Sequence, residues 1–175
     1  MSSNTLGESP QSVGTDWVPR DPSQYVRSAH YTERVEADTR GITDDHTARV
    51  IRDGEIRTLS GPKWAFVATE NGYELRVVCG LKDRLMPAVV TGYCHVNELD
   101  GAVEEFGERA AHAELIRHVV LRSGEWDLLV DIDVTEPVPV KAHAVTTPYG
   151  DDAVHCQDCG AEYHMWASFE SAGCE

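Results

Sequence analysis

His30 and Arg34 stand four residues apart in "SAHYTERVEADTRGI", the spacing that puts two side chains on one helical face. Histidine exchanges a proton near neutrality, and arginine offers a forked contact to phosphate. Arg40 follows, Arg76 alternates with Leu75 and Val77 in a strand-like run, and Thr91 and Tyr93 share one face of the next. This inventory suits RNA cleavage without a metal. A base removes the 2′-hydroxyl proton, cations stabilise charge growing on phosphorus, and Tyr93 or Trp64 stacks on a base. The same residues have a plainer use, with Arg34 paired to Glu33 or Asp38 and His30 an ordinary helix residue.

A second group lies near the end. Cys156 and Cys159 bracket two residues before Gly160 in "HCQDCGAEYH", the turn of a zinc knuckle. Zinc takes four ligands in a closed tetrahedral site, and Cys156, Cys159, His164 and Cys174 supply a first set. Cys94 and His95 are a further source of ligands, and ordinary reduced cysteines or a redox pair are the other readings. Asp151, Asp152, Asp158 and Glu162 oppose a thiolate and suit a nearby cation. Cys79 and Cys94 fall in strands and read as core. Glu105, Glu108, His112 and Glu114 match no HExxH pattern. They read as a solvated acidic face, one that would suit a basic partner.

These groups need elements to hold them. Residues 1–24 are rich in Ser, Pro and Gly and read as a flexible leader. A helix is predicted over 28–38, then a second capped by Thr43, with Asp44 and Asp45 in its first turn and Gly54 at its end. "KWAFVAT", "ENGYELRVVCG" and "RLMPAVVTGYCHV" read as a three-stranded meander, with Asn71-Gly72 compatible with a type I′ turn. "VEEFGERAAHAELIRHVVLRS" reads as helix, and "EWDLLVDIDVTEPVPVKAHAVTT" as strand with a proline break. The expected division is a leader over 1–24, an α+β domain over 25–122, and C-terminal strands with a zinc knuckle over 123–175.

Charge is distributed unevenly. The chain carries 30 acidic and 15 basic side chains, yet residues 25–95 hold ten of each. Residues 96–150 hold four basic against eleven acidic, and 151–175 none against six. Twelve arginines and only three lysines beside this surplus of carboxylate resemble the composition of haloarchaeal proteins. No apolar run is long enough to cross a bilayer, and the start lacks the basic and apolar regions of a secretory signal. A cytoplasmic location is expected, and five cysteines argue against a fully paired disulfide framework.

Over about residues 28–94 the run "SAHYTERVEADTRGITDDHTARVIRDGEI", with "LRVV" and "PAVVTGY" after it, resembles a BrnT-like and RelE-like family of small toxins. The resemblance implies N-terminal helices packed on a small antiparallel sheet of barnase/RelE type, here with an acidic C-terminal extension. It also implies metal-independent endoribonuclease activity and an antitoxin partner. His30 would serve as general base or acid. Arg34, Arg40 and Arg76 would hold the scissile phosphate, and Tyr93 would position a base or ribose. The gap before "RGI" is two residues longer than the family's usual pattern, and the acidic half has no counterpart in the compact toxins. The alternative is a non-catalytic regulator that binds protein or nucleic acid and carries a zinc-stabilised tail.

Overall fold

Thr43 starts a helix with a complete capping box. Its hydroxyl accepts from the His46 backbone N–H at 3.2 Å, and His46 Nδ1 accepts in return from the Thr43 N–H at 3.2 Å. This reciprocal box satisfies two amides that a helix start leaves unpaired. The helix, α2, spans Asp44–Asp53 and buries His46, Thr47, Val50 and Ile51. Before it lies α1, Ala29–Glu36, whose buried Tyr31 donates to Asp44 Oδ1 at 2.8 Å and meets the Thr47 hydroxyl at 2.7 Å. The two predicted N-terminal helices are therefore joined through one phenol. The computed structural model describes residues 15–82, 86–160 and 162–163.

The chain is α+β, with two sheets among the described residues. The first has five strands: β1 Val26–Arg27, β2 Glu55–Thr58, β3 Lys63–Thr69, β4 Tyr73–Lys82 and β5 Met86–Val96, in the order β1-β5-β4-β3-β2. The three expected strands are present, with one more at each edge. β1 pairs parallel to β5 through Val26↔Ala88 and Arg27↔Val89, so the sheet is mixed rather than antiparallel throughout. The β3–β4 turn is not type I′, which requires positive φ at both central residues. Gly72 has φ 82°, whereas Lys141 is the one non-glycine residue with positive φ among those described.

The chain divides into two compact units. The first comprises residues 1–34, 42–68 and 75–93, and its core is aromatic. Trp64 is buried, with Trp17 edge-on at 5.1 Å and Tyr25 at 6.3 Å. Residues 15–24, read from sequence as leader, are tied down here. Val18 is buried, and the Arg20 guanidinium donates to Gly54 O at 2.6 Å.

The second unit comprises residues 35–41, 69–74 and 94–175. Its helices are α3, Leu99–Phe106, and α4, Glu108–His118, broken at Gly107 with φ 87°. A π turn over Val119–Ser123 and a 3-10 turn over Trp126–Asp131 follow. The second sheet is antiparallel, β6 Val134–Val140, β7 His143–Thr147, β8 Val154–Cys156 and β9 Glu162–Tyr163, in that order. Among the described residues no helix is long and apolar enough to cross a membrane.

Glu114 corrects the reading of α4 as a wholly solvated acidic face, because it is 1% exposed. Its carboxylate accepts from Arg117 Nη1 at 2.5 Å and from the Cys94 N–H at 3.2 Å. Arg117 also donates to Thr39 O, Thr39 Oγ1 and Pro139 O, at 2.5, 2.9 and 3.1 Å. A buried ion pair persists only when such hydrogen bonds replace the water it lost.

Candidate functional site

The residues with catalytic chemistry fall into separate groups. His30 and Arg34 do share a face of α1. Arg34 Nε donates to His30 Nε2 at 2.9 Å, at an exposed position. That bond occupies the lone pair through which Nε2 would take up a proton. Asp38, the other suggested partner for Arg34, lies 3.0 Å from Arg109.

Arg76 and Tyr93 form a second pair. The Arg76 guanidinium lies over the Tyr93 ring, 5.9 Å from its centroid, within range of a cation–π contact. Their face of the sheet follows from Gly92. A Cβ added there would stand 2.8 Å from Ile42 Cδ1 and 3.6 Å from Tyr31 Cε2, so Gly92 faces α1. Strand alternation turns Tyr93 to the other face, and Arg76 with it. The sheet therefore separates the Arg76–Tyr93 pair from the helix that carries His30. Thr91 is half-buried in the same strand, and its hydroxyl has no hydrogen-bond partner among the described residues.

Arg40 belongs to the second unit, where it stands 3.6 Å from the buried Glu114 carboxylate with only 19% of its side chain exposed. Its charge balances a buried acid. Trp64, considered as a base-stacking residue, is 1% exposed and fills the core instead.

The cysteine turn is more tightly organised. His143 Nδ1 lies 3.3 Å from Cys156 Sγ and 3.6 Å from Cys159 Sγ. With Zn–S near 2.3 Å and Zn–N near 2.0–2.1 Å, tetrahedral ligation places sulfur and nitrogen about 3.6 Å apart. The separations fit a shared ion. The Cys159 N–H points at Cys156 Sγ at 3.4 Å, Gly160 N–H donates to Cys156 O at 2.8 Å, and Gly160 has φ 70°.

His143 and Cys156 are buried and Cys159 half-buried. Tyr163 packs edge-on to the imidazole with centroids 5.9 Å apart. Cys159 is disulfide-bonded, whereas Cys156 is not. Metal and disulfide are thus alternative fates for the Cys159 sulfur. The other two expected ligands, His164 and Cys174, also lie outside the described residues.

His143 escaped the sequence reading, although a signal existed. β7 and β8 pair through Val145↔Cys156 and Thr146↔His155, so a hairpin through "TTPYGDD" returns the cysteine turn beside residue 143. Beside this group, His155 Nε2 lies 3.3 Å from Asp151 and 3.7 Å from Glu162, a partly solvated histidine between carboxylates.

Cys79 and Cys94 are core residues, as expected. Burial pushes the Cys79 thiol up to about 12 and raises Cys94 as well. The His95 and His118 rings meet at a 45° tilt with centroids 4.9 Å apart, and burial holds His118 below its usual value, with Arg122 adding to the effect.

Charge follows the two units. The first holds ten basic and nine acidic residues, net +1, and the second five basic and twenty-one acidic, net −16. No protein-family model, curated protein or solved structure significantly matches the chain.

Proposed function

We propose that this chain is a non-catalytic interaction protein whose acidic second unit, closed by a structural zinc, docks a basic partner. The observation that carries the reading is charge segregation. The whole surplus of carboxylate lies in the unit that also holds His143, Cys156 and Cys159. A solubility requirement alone would spread acid over both units, whereas a docking surface concentrates it. Zinc bound by His143, Cys156 and Cys159 would supply no chemistry to a substrate. It would hold β7 against the β8 turn and so fix the acidic surface around them. His143 is supported by its position, in place of or beside His164 and Cys174.

A metal-independent toxin-type ribonuclease is the second reading, favoured by one observation: His30 and Arg34 are in contact on an exposed helical face. In that reading the pair works without Arg76 and Tyr93, which face the other side of the sheet. The barnase/RelE-type arrangement and an antitoxin partner belong with this reading.

Incubation of the reduced chain with total RNA, at low and molar salt with and without EDTA, separates the two. The interaction reading expects intact RNA under every condition. Cutting that survives EDTA and disappears in H30A and R34A variants would overturn it and establish the second reading.

A further inference from the structure

A cavity of about 370 Å³ opens in the first unit beside β1, the start of α1 and the ends of β3, β4 and β5. That volume falls in the range of small-molecule sites, roughly 300–1,000 Å³. Val26, Pro62, Leu81, Ala88 and Val90 give it apolar walls, and Gly80 lines it too.

Among the described residues, the charged ones lining it are Arg27, Lys63 and Lys82, all basic. Arg27 is committed to Asp44 at 3.0 Å. Lys63 and Lys82 are exposed and have no ion-pair partner among the described residues. The chain has only three lysines, so two of them meeting at one apolar mouth is a concentration of charge with a use. Long lysine stems can lie along the apolar wall while their ammonium groups hold an anion at the rim.

Among the described residues the wall offers little polar recognition besides these two groups. Ser28 Oγ already donates to Val90 O at 2.7 Å and accepts from the Tyr31 N–H at 3.0 Å. A sugar or nucleobase would bury polar edges there without partners, at a cost. An aliphatic chain would not.

We propose that this cavity binds a medium-chain carboxylate, its tail against Leu81, Ala88 and Val90 and its head between Lys63 and Lys82. Gly80 leaves room for the tail. A Cβ added there would meet Lys63 Cγ and Val90 Cγ2 at 3.7 Å, an ordinary contact, and the backbone there does not require glycine. The residues that line the cavity all belong to the first unit.

The test is calorimetric titration of the full chain at low salt with decanoate, decanol and decylamine, followed by thermal melting. Decanoate saturates one site, decanol binds about tenfold more weakly, and decylamine does not bind. Lys63→Gln combined with Lys82→Gln reduces decanoate to the decanol level and leaves decanol unchanged. Gly80→Val fills the cavity and removes both ligands without lowering the melting temperature. The lysine variant, altered only at exposed groups, keeps the test valid should Gly80→Val fail to fold. No saturable decanoate binding, equal affinity for decylamine, or decanoate affinity unchanged by the lysine substitutions would overturn the proposal.

Discussion

The two units of this chain are held by different means. In the first, apolar packing carries the structure: Trp17, Tyr25, Trp64 and Phe66 meet edge to face, and charge is almost balanced at +1. In the second, with net charge −16, specific polar linkages take on more of the work. Glu114 is buried under Arg117 and Arg40, and His143 converges with the cysteine turn. Self-repulsion among carboxylates weakens a compact state, and cross-links of this kind offset it. The first unit should therefore respond to changes in packing and capping, and the second to loss of a charge partner or a metal.

Removing one partner of the buried pair gives the largest expected effect. Glu114→Ala leaves the Arg117 guanidinium buried without its carboxylate, and a loss of about 3–5 kcal/mol is expected. Urea unfolding would measure it, and hydrogen exchange should place the loss in α4 and β6. Glu114→Gln combined with Arg117→Met should cost less than Glu114→Ala alone, since neither charge is left stranded.

Zinc removal comes next. In the reduced chain, a chelator should accelerate amide exchange across β7 and β8 while β3 and β4 keep their protection. Cys156→Ser should reproduce that pattern without chelator. Uniform acceleration over both units would break the contrast between them.

Capping tests the first unit. Thr43→Ala removes the acceptor for the His46 amide and should cost about 1 kcal/mol, read as faster exchange in α2. The second unit should be unaffected.

The smallest effect is on pH dependence. His112 and His118 are held below the usual 6.5, in each case first by burial. Below that value the unfolded chain takes up protons that the folded chain refuses. Their contribution is therefore present above about pH 6.5 and is lost as pH falls toward the folded values. The melting temperature should drop between pH 7 and 5, and His118→Gln should flatten part of that drop.

Local signals were legible in the sequence, and partnerships over distance were not. Thr43 announces its helix because a cap depends on neighbours three residues away. The alternation in "YELRVVCG" likewise separates Arg76 from the core. β1 and β2 escaped notice because two or four residues carry no period, and their pairing is set by β5 and β3. Glu114 reads as a surface acid until Arg117 and Arg40 are seen beside it, and Arg40 lies 74 positions earlier in the numbering. Of the candidate site, Cys156 and Cys159 were legible from spacing, whereas His143 required a hairpin to be closed. Spacing along α1 brought His30 and Arg34 together correctly, but it carried no information about which side of the sheet would receive Arg76.

The central claim is a metal held by His143, Cys156 and Cys159, and zinc content tests it most directly. The full chain, reduced and then desalted without chelator, should retain about one zinc per molecule with sulfur and nitrogen ligands in its X-ray absorption spectrum. His143→Ala and Cys156→Ser should each lose that metal while β3 and β4 stay protected from exchange. A reduced wild-type chain that binds no zinc, or a His143→Ala variant that binds it as tightly, would contradict the account.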